Sequence, residues 1–250
     1  MIVTLYGMWH SHPVLAARLM LERKGLEHNV RDALPGLHPL AVRAAGFPGR
    51  TVPAMRLGDR MVQGTLSISR ALDEVVPAAP LFPADPGARA AVEAAERWGH
   101  DELQPVATRV FRWAGATDNR VRAWMATEVI GWPLGSVLGH GFTPVMAYYA
   151  SIVGADSAAV RADLAGLPAL LDRADALIAD GVLGGPDVNA ADCQVLASLR
   201  LLAAHEDLRP LLEARRCGRL ALARVPNFPP GPDATRPVPA VLPREWLPAA

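Results

Sequence analysis

Cysteine is scarce. The chain holds only Cys193 and Cys217 in 250 residues, too few for a disulfide framework, which favours a reducing compartment. Lysine is scarcer still: Lys24 is the one lysine among 25 basic residues, a bias we read as genomic. Charge of one sign is missing as well. The 25 basic residues face 25 acidic ones, for a net charge of zero, so no electrostatic argument supports nucleic acid or an acidic membrane surface as a partner. Long apolar runs are absent. The most apolar stretch, 129–142, is broken by Pro133 and several glycines and falls short of the ~20 residues that span a bilayer. The N-terminus has no basic region followed by an apolar run, so no secretory signal is expected and the expected location is cytoplasmic. No internal repeat is apparent.

What is present is apolar surface. Half of the chain is hydrophobic, enough for a sizeable core in one or two domains. Ile2 to Tyr6 is a strand by its β-branched and aromatic content, ended by Gly7. Pro13 suits the first turn of a helix that runs to Lys24, and Gly25 stops it. Leu26 to Arg31 reads as a second strand and His38 to Ala45 as a short helix. Two short strands, from Pro53 and from Arg60, and a helix over Thr65 to Val75 follow. The order β-α-β-α-β-β-α is that of a thioredoxin-like domain. Beyond a Pro/Ala stretch the remainder reads as helix: 87–115 with a kink at Pro105, 119–130, then a Gly/Pro break, 144–153, 156–180, 190–204 and 208–224. Prolines at 226, 229, 230, 232, 237, 239, 243 and 248 make the last segment an extended tail. Its Phe228 and Trp246 are the side chains expected to anchor it across the surface.

The stretch Thr51-Val52-Pro53 organises the first half. Proline is tolerated as the first residue of a strand, where no ladder donor is needed, and it is where a cis bond is least costly. A cis bond there would turn the Val52 N–H and C=O outward, ready to pair with an extended peptide.

A thioredoxin-like domain, a linker and an all-helical domain, taken with these motifs, resemble the cytosolic glutathione transferases. The likeness rests on Leu5-Tyr6-Gly7, on Ser11, on Ala17 to Leu26 with its Lys-Gly-Leu turn, on Thr51-Val52-Pro53, on Val62 to Ile68, and on Asn189 and Asp192 as a helix capping box. It implies a thiol-cofactor domain over 1–76, a linker over 77–86, an all-helical substrate domain over 87–224 and a tail over 225–250. It also implies a homodimer and glutathione, or another low-molecular-weight thiol, held by Ser11, Arg50, Val52, Pro53, Gly64 and Thr65. Two positions depart from the family pattern. Gly64 stands where the family has a Glu that helps hold the γ-glutamyl end, and Thr65 replaces a Ser. A hydroxyl at a helix N-terminus still suits a carboxylate.

The chemistry implied is activation of a bound thiol, whose pKa of about 8.5 falls near donors and helix N-termini. Ser11, before Pro13 at the mouth of the first helix, is the leading donor; its competing role is the plain N-cap. Tyr6 is the rival donor, one residue from the best match with the tyrosine that some classes use. His10 and His12 flank Ser11, and their i,i+2 spacing with no Cys or carboxylate beside them is a poor zinc signal. One of them is expected to line the cofactor pocket and the other to face solvent, with Met8 and Trp9 as wall or core. Cys193 is expected to be inert packing. Trp113, Trp124, Trp132, Tyr148 and Tyr149 are the aromatics available for an apolar cleft. The reading is therefore an enzyme that adds a thiol to an electrophilic, mostly apolar small molecule, or isomerises one with the thiol's help. The alternative is a binding or interaction protein that keeps the fold and has lost the chemistry, which Gly64 favours. A disulfide oxidoreductase is disfavoured, because Met8 to Ser11 holds no Cys.

Overall fold

The computed structural model describes residues 2–8, 10–34, 36–132, 135–225, 228 and 236–248, the side chains of 136 and 138 apart. A four-stranded sheet forms the first half, in the order β2-β1-β3-β4. β1 (Val3–Gly7) runs parallel to β2 (His28–Asp32), while β3 (Ala54–Leu57) lies antiparallel to both β1 and β4 (Arg60–Gln63). Strand β2 begins two residues later than its composition suggests. The period-2 alternation of β1 divides the faces. Val3 and Leu5 point into the main core, against α1 (His12–Arg23) and α3 (Thr65–Val75). Tyr6 points the other way, to the small cluster of Val42, Phe47 and Ala54 beneath α2 (His38–Ala44). Gly7 is a close-approach glycine: a Cβ there would lie 2.5 Å from Val14 Cγ1. Any side chain would push α1 off the end of β1.

The rest is helical. α4 (Pro86–Trp98) passes through a π-helical turn, Gly99–Leu103, into α5 (Gln104–Thr117). The irregularity expected at Pro105 is taken up by this turn, which lets Pro105 sit in the first turn of α5 where its missing N–H costs nothing. α6 (Asn119–Trp124) likewise ends in a π turn, Met125–Val129. The Gly/Pro stretch read as a break contains a short helix, α7 (Gly135–Gly141), packed on α6. α8 (Thr143–Ser151), α9 (Ser157–Ala179) and α10 (Ala190–Ala204) follow. The helix expected over 208–224 is two, α11 (Arg209–Ala214) and α12 (Arg216–Arg224). They break at Arg215, whose ψ of 148° is extended.

α10 is the axle of the molecule. Every one of its residues is buried, and it packs on α1 from the sheet half and on α4, α5 and α12 from the helical half. Its N-terminus is locked by the expected capping box: Asn189 Oδ1 accepts from the Asp192 N–H at 3.0 Å and Asp192 Oδ2 from the Asn189 N–H at 3.1 Å. Lys24 makes a second tie. Its ammonium, fully buried, donates to Asp73 Oδ1 at 2.6 Å and to the carbonyls of Val76 and Ala78 at 2.7 and 3.2 Å. It fastens the end of α1 to the end of α3 and to the segment leading into α4. The described residues of the tail pack along the helical half. Phe228, Val238 and Leu242 are buried, Val238 bridges to His205, and the Trp246 ring rests on Trp113 with centroids 5.2 Å apart.

Candidate functional site

The register of the sheet gathers most of the sequence candidates at one end. Tyr6 pairs with Ala54, and Ala54 with Gln63. The segment after β1, the one before β3 and the one after β4 therefore lie side by side. Ser11 is on the first, Val52 and Pro53 on the second, Gly64 and Thr65 on the third. The Val52–Pro53 bond is cis. Pro53 O accepts from the Gly64 N–H at 2.9 Å. Gln63 braces the approach, its Oε1 accepting from the Gly49 N–H at 3.0 Å and its Nε2 donating to Thr51 O at 2.7 Å. Among the described residues nothing bonds to the Val52 N–H or C=O.

Ser11 occupies the N-cap of α1 with an extended backbone, φ −85° and ψ 110°, yet its hydroxyl makes no capping bond. Its backbone N–H donates to Met8 O at 3.1 Å, which closes the turn and sets the side chain at the helix mouth. The capping role is thus unfilled by the hydroxyl. Thr65 opens α3 behind Gly64, whose φ of 87° is glycine's left-handed territory. A side chain at Gly64 would have room, since no atom lies within 4 Å of its Cβ position; the backbone angle is what disfavours one. Thr65 is buried, and its Oγ1 has no hydrogen-bond partner among the described residues. A buried hydroxyl without a partner costs free energy that a ligand oxygen or nitrogen would recover. Below it, Ser69 Oγ and the Arg70 guanidinium both bond the buried Glu96 carboxylate of α4, fixing α3 against the helical half.

The other candidates go elsewhere. Tyr6 faces the opposite side of β1, its ring edge-on to Phe47 at 5.4 Å, so it packs under α2. Arg50 is exposed. Met8 is buried, and Trp9 lies outside the described residues. The pair expected to split between pocket and solvent does not: His12 is buried and His10 half-buried. His12 follows the cap into α1 and is carried inward with Val14 and Ala16. Cys193 is buried and its thiol pushed well up by burial, with Asp192 adding to the shift, as inert packing requires.

Around His10, next to Ser11 in the chain, the fold assembles residues of both halves, several of which the sequence did not flag. The His10 ring lies 5.8 Å from that of Phe111 on α5, which in turn meets Trp124 and His205 edge-on. Beside it, His38 at the start of α2 stacks on Tyr149 of α8 at 5.4 Å, with Tyr149 Oη 3.3 Å from His38 Nδ1. Arg112, next to Phe111, donates to Tyr149 O at 3.0 Å and lies 5.3 Å over the Tyr149 ring. Burial, then the Arg112 charge, lowers His10 and His38 to about 4 and His12 to about 3. All three imidazoles are neutral at pH 7. Of the cleft aromatics expected, Trp113, Trp124 and Tyr149 are buried, while Trp132 and Tyr148 are on the surface. No single-sequence signal marks His38, Phe111, Arg112 or His205; only the fold brings them together. Among the described residues no cluster of His, Cys, Asp and Glu could hold a metal ion. An open depression of about 750 Å³ lies at the opposite end of β1, along Ile2, Val3 and Gly25 to Asn29. It gathers none of the groups above.

Comparisons with known proteins agree with this layout. Residues 5–80 match the family model for the glutathione S-transferase N-terminal domain. Compared by sequence with curated proteins, the chain matches none. Among solved structures it is similar to a glutathione S-transferase from Rhodospirillum rubrum F11, with 20% identity over 98% of this chain and 97% of that one and a TM-score of 0.62. It is similar to FzlA from C. crescentus, with 18% identity over 100% and 97% and a TM-score of 0.60. A point mutant of human glutathione S-transferase T1-1, in its apo form, gives 20% identity over 89% and 82% and a TM-score of 0.57. The fold is that of the glutathione transferases: a thioredoxin-like sheet domain followed by a helical one.

Proposed function

We propose that the protein is a glutathione transferase-like enzyme. It binds glutathione, or a related small thiol, along the end of the sheet and joins it to an electrophilic small molecule entering from the helical half. The observation that carries this reading is the run of unspent polar groups: the Ser11 hydroxyl, the Val52 backbone and the Thr65 hydroxyl, on segments that flank neighbouring strand ends and unbonded to the described residues. The cofactor would supply one thing, a sulfur nucleophile. Ser11 donates its O–H to that sulfur and, with the α1 N-terminus, favours its deprotonated form. Val52 pairs with the peptide as a neighbouring strand would. Thr65 and the first N–H groups of α3 hold the distal carboxylate, and Arg50, exposed beside them, is free to add a charge. The three neutral imidazoles and the aromatic rings exclude water from the reacting end. Catalysis is then proximity plus sulfur activation, and a thiol-assisted isomerisation would use the same groups.

The boundaries we propose are 1–76 for the thiol-binding domain, 77–86 for the linker, 87–224 for the substrate domain and 225–250 for the tail. We also propose a cytoplasmic homodimer, without nucleic acid or membrane as partner; among the described residues no helix is long and apolar enough to cross a membrane. Gly64 favours a second reading, a binding protein without turnover, because it supplies no side chain to the γ-glutamyl end. Retention on immobilised glutathione followed by conjugation to a generic aryl halide separates the two: both for the enzyme, retention alone for the binder. Ser11→Ala should then cut turnover at least about 10-fold at saturating thiol with an unchanged melting temperature. An unchanged rate would remove Ser11 from the reaction.

A further inference from the structure

The sheet ends on an open edge. β2 pairs with β1 on one side, and among the described residues nothing pairs with it on the other. The Ala33 N–H donates to Gly7 O at 2.9 Å, so residues 29, 31 and 33 turn their backbone groups toward β1 and the alternate residues turn theirs away. The N–H and C=O groups of His28, Val30 and Asp32 therefore face outward. Such a row is a template for another strand, and proteins guard it with a proline, a bulge or a cover. Among the described residues β2 has none of these. Its sequence is His-Asn-Val-Arg-Asp, and its register with β1 is unbroken. There is room beside it. Asn29 and Arg31 are exposed and make no hydrogen bond or ion pair with a described residue. The open depression along Gly25 to Asn29 clears the start of the strand.

We propose that β2 is a self-association edge, which pairs antiparallel with β2 of a second copy about a two-fold axis at Val30. The strand is its own complement in that register. Val30 meets Val30, His28 meets Asp32 and Asn29 meets Arg31. An imidazole then faces a carboxylate, and a guanidinium faces an amide oxygen, the kinds of cross-strand pair that stabilise a ladder. His28, Val30 and Asp32 fall on hydrogen-bonded pairs, so every outward N–H and C=O of the strand finds a partner. The neighbouring registers fit less well. An axis at Arg31 sets two guanidiniums face to face, which is destabilising. An axis at Asn29 sets Asp32 against Leu26, whose N–H is already spent on Leu21 O and whose C=O is 3.0 Å from His28 Nδ1. The contact is only five residues a side, so association is reversible and rises with concentration. It is isologous, with the same patch on both copies. It uses none of the groups assigned to the thiol.

Two measurements on the full chain test this. Val30→Pro removes an outward N–H and leaves the bonds to β1 in place, as a proline on an edge strand does. Light scattering at high micromolar concentration should give the wild type twice the mass of Val30→Pro. Equal masses would overturn the proposal. Cross-linking reads the register without a proline. Asn29 and Arg31 fall on non-hydrogen-bonded pairs with Cα atoms ~4.5 Å apart, within disulfide range, and the natural Cys193 and Cys217 are buried. Asn29→Cys protein mixed with Arg31→Cys protein and oxidised with diamide should form a disulfide-linked pair at least about 10-fold faster than either variant alone. No cross-link, equal rates in all three samples, or Asn29→Cys linking fastest to itself would each overturn the proposed pairing. The cysteine comparison stands even if Val30→Pro does not fold.

Discussion

Lys24→Met should destabilise the protein by about 3 kcal/mol, near the low end of the ~3–5 kcal/mol that breaking a buried ion pair costs. Methionine keeps most of the length and volume of the lysine stem, so the apolar packing of α1 changes little. What is lost is the ammonium, whose three donors are all in use, on Asp73 Oδ1, Val76 O and Ala78 O. Two carbonyls are left to find water at about 1 kcal/mol or more each. The Asp73 carboxylate loses its cation but keeps the Leu81 N–H at 2.7 Å; its side chain is 16% exposed and recovers some hydration, which moves the cost to the low end. At ~2–4 °C per kcal/mol for a chain of this size, the melting temperature should fall by roughly 6–12 °C. Urea unfolding followed by circular dichroism at pH 7 measures this, with Asp73→Asn and the double variant completing a cycle. Asparagine keeps the oxygen that accepts from Leu81 and removes the charge. The double variant should therefore be more stable than the sum of the single losses predicts. A Lys24→Met protein within about 1 kcal/mol of wild type, or strict additivity in the cycle, would show that the pair is not a buried coupled contact.

Three further outcomes are expected. Thr65→Val should leave the thiol-free protein as stable as wild type or slightly more so, because it removes a buried hydroxyl without a partner, while weakening retention on glutathione; a loss above about 1 kcal/mol would mean the hydroxyl is already bonded. Stability should fall as pH drops from 6.5: His10, His38 and His205 are lowered to about 4 and His12 to about 3 by burial, so the unfolded chain takes up protons there that the folded chain refuses, and stability is lost progressively as pH falls through that window. Asp32, Glu96 and Asp192, raised by burial, act in the opposite sense; a urea midpoint that is flat from pH 7 to 5 would refute the expected dominance of the histidines. Truncation after Val225 should lower the melting temperature by at least about 5 °C, since it removes the buried Phe228, Val238 and Leu242, each worth ~1.5–3 kcal/mol before the ordering cost of the segment is subtracted; an unchanged value would make the tail a passive appendage.

What the sequence made legible follows from how locally each feature is encoded. The capping box at Asn189, the proline at the start of β3, the glycine that ends α1 and the buried α10 are each written within a few residues, and each is found as read. The breaks were harder. The split at Arg215 carries no proline, and Gly218 reads as an ordinary helix residue. Yet a Cβ at Gly218 would lie 2.0 Å from Leu212 O, an approach of α12 onto the end of α11 that helical periodicity does not announce. The π turns at 99–103 and 125–129 are equally silent, since an extra residue in a helical turn shifts the apolar face without erasing it. Lys24 was read as compositional drift and proves to be the buried tie between α1, α3 and the segment into α4, a role that depends on residues 49 to 54 positions away. The site divides the same way. Its sheet side, where the thiol is proposed to bind, is local: Ser11, Val52, Pro53 and Thr65 lie on three sheet-end segments with short motifs of their own, and the register brings those segments together. Tyr6, a single residue off in a strand, falls on the other face, as the period of two demands. The opposite wall is assembled from α2, α5 and α8, elements whose contacts span 37 to 111 positions in Arg112–Tyr149 and His38–Tyr149. A wall built from such distant pieces is free to change without disturbing the sheet end. Under the proposed reading, selection of the second substrate would fall to this wall, where the sequence is least readable.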